Sequence, residues 1–480
     1  MSKKRNYSRR QFLGEASCAA IGSTAFLSSV LNLGMINTAA ARPNIIGAAG
    51  DYKAIVCVLL AGGSDSHNIL VPTDPTEYSQ YAALRTDLAL PLDVNGRPYF
   101  LGINPDNSPK SFGLHPGMPN VKNLFDQQNL SFIANVGTLV EPVENANQVY
   151  NDLKELPLGL YSHADQIMQW QTSVPQDRSA VGVGGRMADM LKDMNTIKEI
   201  SMNISLDGKN RFQAGNTVVE YAISNSANEA DIGIQSLTPY WSNSGFLTDK
   251  RNEAISSIVE ESYSNIFQNT YADLTNQTID AVNVFKSGLA KRPGFPTVFS
   301  QSNLSQDMRM MADVISVQNH LGANRQIFFT TFGGWDHHDE VLNNQAGMLP
   351  VLDNALGEFF SSMEDINMQD NVTVLTISDF GRTLTSNGNG SDHAWGGNSM
   401  VMGGAVNGRN VFGSYPELTL NNPLNLDERG RFIPTTSVDE LYGDLALWFG
   451  VSPNDLDYVL PNLANFYSHS NGNSPLGLFS

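Results

Sequence analysis

The chain has 480 residues, 48 acidic against 29 basic, and a formal net charge of −19; a nucleic acid or an anionic membrane surface would repel it, so neither is expected as a partner. Of its two cysteines, Cys18 lies in an N-terminal leader and Cys57 beyond it, which excludes an intrachain disulfide in the mature protein. No thiolate site can be built, so any metal must be held by histidine and carboxylate.

The leader comes first. A basic start runs into Ser8-Arg9-Arg10-Gln11-Phe12-Leu13-Gly14, then a weakly apolar stretch broken by Gly22, Ser23, Ser28 and Ser29, and ends on Ala39-Ala40-Ala41. The Arg9–Arg10 pair with Phe12-Leu13 behind it reads as a twin-arginine export signal over residues 1–41. The polar interruptions argue against a membrane span. Export by this route places a prefolded mature protein in the periplasm or outside the cell. The leader holds five basic side chains and one acidic; removing its net +4 from −19 leaves −23 on residues 42–480. About 440 residues are ample for one large core, and no later stretch is long and apolar enough to span a membrane.

Beyond the leader, short apolar runs alternate with helical patterns. AIVCVLL, 54–60, is the first buried strand, with Cys57 packed inside it, and LSFIANV, 130–136, is the second. HADQIMQWQTS, 163–173, has apolar residues at i, i+3 and i+4 and predicts a helix. The stretch 200–300 is polar, rich in Asn and Ser, and lacks a strong strand run; it reads as an insertion or cap over the sheet, with a helix near 250–290. A helix over 304–321, a strand over 325–332, a helix over 348–366 and strands over 371–378 and 398–406 follow. The tail, 437–451, is a helix opened by Ser437 and Glu440 as a capping box. Strands alternating with helices predict an α/β fold, a mostly parallel central sheet sandwiched by helices.

In such a sheet ligands gather outside the carboxyl ends of the strands, and four polar clusters fall there. The first strand runs into AGGSDSHN with Asp65 and His67, the 325–332 strand into GGWDHHDE, and the 371–378 strand into DFGRT with Asp379 and Arg382. The fourth, NGNGSDHAWGG, carries Asp392 and His393 just before the 398–406 strand. Histidine and aspartate recurring at one sheet edge point to a metal site, although each piece alone also reads as a turn, a helix cap or a solvated loop. Asp336 and His338 alternate along an extended chain, so both can face one ion, whereas His337 points away, toward solvent or a supporting role. Oxygen-rich ligands suit magnesium, calcium or manganese, and two histidines favour zinc. Ser162, at the start of the 163–173 helix, can cap it, or can attack phosphorus or sulfur if a metal lowers its hydroxyl pKa. No Gly-x-Ser-x-Gly elbow marks a serine–histidine triad.

Taken in order behind the leader, LAGGSDSHNILVP, GLHPGMPNVKNLFDQQNLSFIANVG, SHADQIMQWQT, GGWDHHDE, ISDFGRT and SDHAWGGNSMVMGG resemble the bacterial domain-of-unknown-function family 1501 over essentially the whole mature chain. That family looks like a branch of the alkaline phosphatase superfamily, α/β proteins with two divalent metals and a nucleophile at a helix start. The resemblance implies Asp65, Asp336, His338, Asp379 and His393 as metal ligands and Ser162 as nucleophile. Asp336-x-His338 is shorter than the superfamily's Asp-x-x-x-His, and Phe380 stands where a histidine should follow Asp379, which removes a ligand from one of the two sites. Arg382 either holds a non-bridging substrate oxygen or makes a structural salt bridge; His115 reads as a packing residue more than as a proton donor. SHADQ lacks the Pro and Arg of the sulfatase motif, so phosphate esters are preferred to sulfate esters. The expectation is an exported hydrolase that uses one or two divalent ions (Zn, Mg, Mn or Ca) on a small-molecule or polymer ester. The alternative is a non-catalytic secreted binding protein on the same fold.

Overall fold

The computed structural model describes residues 51–198, 200–225, 281–468 and 473–479; the export signal and most of the helix expected near 250–290 lie outside them. Among the described residues nine strands make the central sheet: β1 Lys53–Ala61, β2 Leu130–Gly137, β3 Asn203–Ser205, β4 Tyr221–Ala222, β5 Arg325–Gly333, β6 Val372–Ser378, β7 Gly397–Met402, β8 Val411–Gly413 and β9 Thr436–Ser437. Their spatial order is β8-β2-β7-β6-β1-β5-β3-β4, with β9 also paired to β2. β1 lies centrally, parallel to β5 from Lys53 opposite Arg325 to Ala61 opposite Gly333, and parallel to β6 on its other side.

The 398–406 run, expected as one more parallel strand, is instead the reversed strand β7, antiparallel to both β6 and β2. This reversal matters for the site. A strand running against its neighbours enters the sheet at the edge where they leave it, so the residues just before β7 meet the carboxyl ends of β1, β5 and β6. In the polar stretch expected as a cap, residues 203–205 and 221–222 add β3 and β4 to the sheet beside β5; residues 226–280 lie outside the described part.

The strands read as unbroken apolar runs because both sheet faces are covered. Alternate residues of β1 divide between two cores. Val56, Val58 and Leu60 pack with α2 (Pro119–Asp126), α5 (Asn303–Ser316) and α6 (Val341–Asp365). Ile55, Cys57 and Leu59 pack with α3 (His163–Thr172), α4 (Val183–Leu191) and α7 (Val438–Phe449). An eleven-residue helix, α1 (Pro75–Arg85), precedes α2 in the chain. The Ser437–Glu440 capping box at the start of α7 forms as expected. α6 starts seven residues before the predicted 348 and runs through Pro350. Among the described residues no helix is long and apolar enough to cross a membrane.

Candidate metal site

Two glycines let the loops of this edge close on one another. Gly62 and Gly63 follow β1 with φ of +122° and +81°, a region that side chains disfavour. A Cβ on Gly62 would collide with the Asp336 backbone nitrogen, and one on Gly63 would lie 2.5 Å from the Phe380 ring. Trp335, fully buried, anchors the loop after β5 by donating its backbone N–H to the Ala61 carbonyl. After β6, residues 381–383 pair antiparallel with 392–395, Arg382 bridging to His393, which swings His393 over Phe380. α3 brings its first residue, His163, to the same spot.

Three imidazole Nε2 atoms and one carboxylate converge there. His338 Nε2 lies 3.1 Å from Asp336 Oδ1 and 2.8 Å from His393 Nε2, and His393 Nε2 is 3.5 Å from the same oxygen. His163 Nε2 faces the other oxygen, Oδ2, at 3.5 Å. The ligand atoms of His163, Asp336 and His393 lie within 4.8 Å of one another.

The other ring nitrogen of each histidine is held by an oxygen. His163 Nδ1 is 2.6 Å from Asp379 Oδ2, His338 Nδ1 is 2.9 Å from Asp392 Oδ1, and His393 Nδ1 is 2.7 Å from the Tyr161 carbonyl. An oxygen acceptor at Nδ1 fixes the proton there and leaves Nε2 with a bare lone pair. Two such lone pairs facing each other across 2.8 Å, as in His338 and His393, repel unless a proton or a metal cation is shared between them. The donor set therefore fits a metal ion: lone pairs aimed inward, oxygen acceptors behind. Tyr161 presents its carbonyl from a left-handed backbone, φ 71°, an uncommon conformation for a bulky residue.

The surrounding charges keep Asp336 ionised. Burial raises its pKa, but the hydrogen bond and charge of Arg382, with His338 and His163, outweigh this and hold it below the usual carboxylate range. Burial lowers the pKa of His393, and the charges of Arg382, His163 and His338 add to that against the Tyr161 carbonyl. Both shifts favour the forms that bind a cation.

The structure thus gathers Asp336, His338 and His393 of the expected ligands and redistributes the rest. Asp65 takes other partners: it is fully buried, its Oδ2 bonded to Arg85 Nη2 at 2.9 Å and to Ser391 Oγ at 2.7 Å, its Oδ1 without a hydrogen-bond partner, so a guanidinium supplies charge to this carboxylate. Asp379 stands one layer back, fully buried, one oxygen on His163 and the other accepting the Gly62 N–H at 3.0 Å. Arg382 makes the structural salt bridge, one of the two roles its place in the sequence left open. Its guanidinium is fully buried, bonded to Asp336 and to the carbonyls of Gly62, Gly63, Trp335 and Ser391, and is not presented to a substrate oxygen. Ser162 caps α3, its Oγ accepting the Asp165 N–H at 3.5 Å. Phe380 is buried with its ring 4.8 Å from that of His163 and 4.5 Å from that of His393, so it floors the cluster.

His337, expected to face solvent or to support the site, is buried with neither ring nitrogen hydrogen-bonded. His115 is buried too, its Nδ1 accepting the Gly117 N–H, and burial pushes its pKa down to about 4. His163 lies outside the four strand-end clusters legible in the sequence. The signal was available: a histidine in the first turn of a helix is disfavoured by the dipole as a cation, so its place there asks for another reason.

Residues 260–429 match the model of a family described as a protein of unknown function, DUF1501. No curated protein is similar to the chain in sequence. Among solved structures, the PsFucS1 sulfatase from Pseudoalteromonas sp. is 10% identical over 89% of this chain and 72% of its own, with a TM-score of 0.32. The lipoteichoic acid synthase LtaP from Listeria monocytogenes is 11% identical over 76% and 68%, with a TM-score of 0.27, and a variant of the alkaline phosphatase PafA is 12% identical over 70% and 64%, with a TM-score of 0.25. Likeness this slight assigns no activity and no residue role. The similarity that stands is the family match, and its segment contains Asp336, His338, Asp379, Arg382 and His393.

Proposed function

We propose that the protein is an exported, metal-dependent hydrolase of phosphate esters built on a single-ion centre. The observation that carries this reading is the convergence of inward-facing imidazole Nε2 atoms on the Asp336 carboxylate, each imidazole backed by an oxygen acceptor. Asp336, His338 and His393 would hold the ion, a set of three that leaves room for substrate. Mixed imidazole and carboxylate ligation suits zinc better than magnesium or calcium. When bound, the ion would polarise the ester and offset negative charge on the departing oxygen. Arg382 fixes the Asp336 carboxylate, Asp392 orients His338, and the nucleophile comes from the start of α3. Phe380, and Asp65 committed to Arg85, support one ion per chain rather than two. Export rests on the Arg9–Arg10 signal, and phosphate is preferred to sulfate by the composition of the SHADQ stretch.

The same two features, Phe380 and the Asp65–Arg85 pair, favour a second reading: a non-catalytic binding protein that keeps one structural ion. Elemental analysis of the purified protein with and without His338→Ala, followed by a phosphoester screen, decides between them. One zinc per chain, lost in His338→Ala, together with turnover, is the expected result. One ion without turnover favours the second reading, and no ion after metal-replete refolding refutes both.

A further inference from the structure

Resting on that reading, we propose that His163 is the nucleophile and forms a phosphohistidine intermediate, while Ser162 serves as a helix cap. His163 and Asp379 form a dyad at the edge of the centre: His163 lies within 4.8 Å of Asp336 and His393, and it is assigned the attack because it meets Asp336 at the oxygen away from His338 and His393. His338 and His393 crowd one oxygen of Asp336, at 3.1 and 3.5 Å, and each other at 2.8 Å. His163 faces the opposite oxygen at 3.5 Å and is a third exposed.

Its Nδ1 is 2.6 Å from the fully buried Asp379 carboxylate, whose other oxygen is tied to Gly62 N–H. That bond holds the proton on Nδ1, keeps the Nε2 lone pair free, and provides a negative charge for the cationic ring that attack would create. The ring is set in place by Phe380 and by an edge contact with His393 at 4.5 Å between centroids. As the first residue of the ten-residue α3, it lies where free N–H groups favour an approaching phosphate. The Ser162 hydroxyl has none of this support: it is bonded to the Asp165 N–H and touches no base among the described residues.

In the first step the Nε2 lone pair attacks phosphorus. The N–P bond forms as the ester P–O bond breaks, and the leaving oxygen departs as an anion that takes a proton from water. The proton on Nδ1 stays in place, shared with Asp379. In the second step a water oxygen attacks phosphorus, the N–P bond breaks, phosphate leaves with the water's proton lost to solvent, and His163 returns to its starting tautomer.

The test uses the zinc-loaded chain with radiolabelled para-nitrophenyl phosphate, quenched in alkali and in acid, with the adduct mapped by mass spectrometry. Expected is an adduct on His163 that survives alkali and is lost in acid. His163→Ala should keep its zinc, lose turnover by at least about 100-fold, and regain part of it with added imidazole. An acid-stable adduct on Ser162 overturns the assignment, as does loss of zinc in His163→Ala, which would make His163 a ligand. The absence of both adduct and imidazole rescue overturns it as well. In those three cases wild-type turnover persists and the hydrolase reading stands; a wild-type protein that binds zinc and releases no nitrophenol removes that reading and this assignment with it.

Discussion

Replacing Arg85 by methionine removes the guanidinium bonded to Asp65 in a pair where both side chains have no exposure. At 2.9 Å and an effective dielectric near 20, the Coulomb attraction is about 6 kcal/mol. Ser391 keeps its hydrogen bond to the stranded carboxylate, and breaking one half of a buried pair typically costs about 3–5 kcal/mol, which is the loss expected at neutral pH. The pH dependence gives a second signature. Burial alone would raise the Asp65 pKa, but Arg85, His67 and Ser391 outweigh it and hold the carboxyl below its ordinary value. A depressed folded pKa makes the wild-type contribution complete above the unfolded value, about 3.9, and lost only as pH falls below that. Without Arg85 the carboxyl moves upward, so the variant regains stability by taking up a proton and its deficit shrinks between about pH 8 and about pH 5. Urea unfolding at both pH values measures this, and the Asp65→Asn/Arg85→Met double variant should recover most of the loss. A deficit under about 1 kcal/mol, or one that is equal at both pH values, would refute the claim that Arg85 neutralises Asp65.

Asp439, in the first turn of α7, is buried and its pKa is pushed up to about 7 by desolvation, against Ser437, Ser173 and Arg186. A raised carboxyl pKa removes stability as pH rises from about 4 through about 7, so Asp439→Asn should be more stable than wild type at about pH 8, by up to about 4 kcal/mol, and equal to it near about pH 4. A gap that does not change with pH in denaturant titrations would show that the group is not neutral in the folded protein. Asp392→Asn weakens the acceptor behind His338 and should reduce zinc affinity by about 10–100-fold with little change in fold; competition against a chromogenic chelator reads it, and an unchanged Kd counts against the oxygen-backed arrangement. Gly62→Ala drives a Cβ into the Asp336 backbone at a positive φ, and should cost about 1–3 kcal/mol together with metal binding. Retention of zinc by a folded Gly62→Ala protein would mean that the 335–336 loop moves without disturbing the centre.

Much of the scaffold was legible because its physics is local. A strand covered on both faces must be apolar at every position, so 54–60, 130–136, 325–332 and 371–378 stand out in the sequence, and the structure has β1, β2, β5 and β6 there. The short edge strands β3 and β4 did not stand out: at three and two residues they carry no periodicity to read. The direction of β7 was equally hidden, since an apolar run reads the same in either sense.

Residue order alone places the polar clusters at the ends of buried strands and supplies them with histidine and aspartate rather than cysteine. Which partner each residue takes follows from the packing of distant segments. Asp65 and Arg382 carry the charges expected of a ligand and a substrate clamp, but they are buried among partners that no spacing rule reveals: Arg85 for the one, Asp336 and four backbone carbonyls for the other. His163 and Asp379 are 216 residues apart in the chain and 2.6 Å apart in space. A hydrogen bond or an ion pair depends on separations of a few tenths of an ångström, and these are set by how the loops after β1, β5 and β6, the turn into β7 and the start of α3 pack on one another.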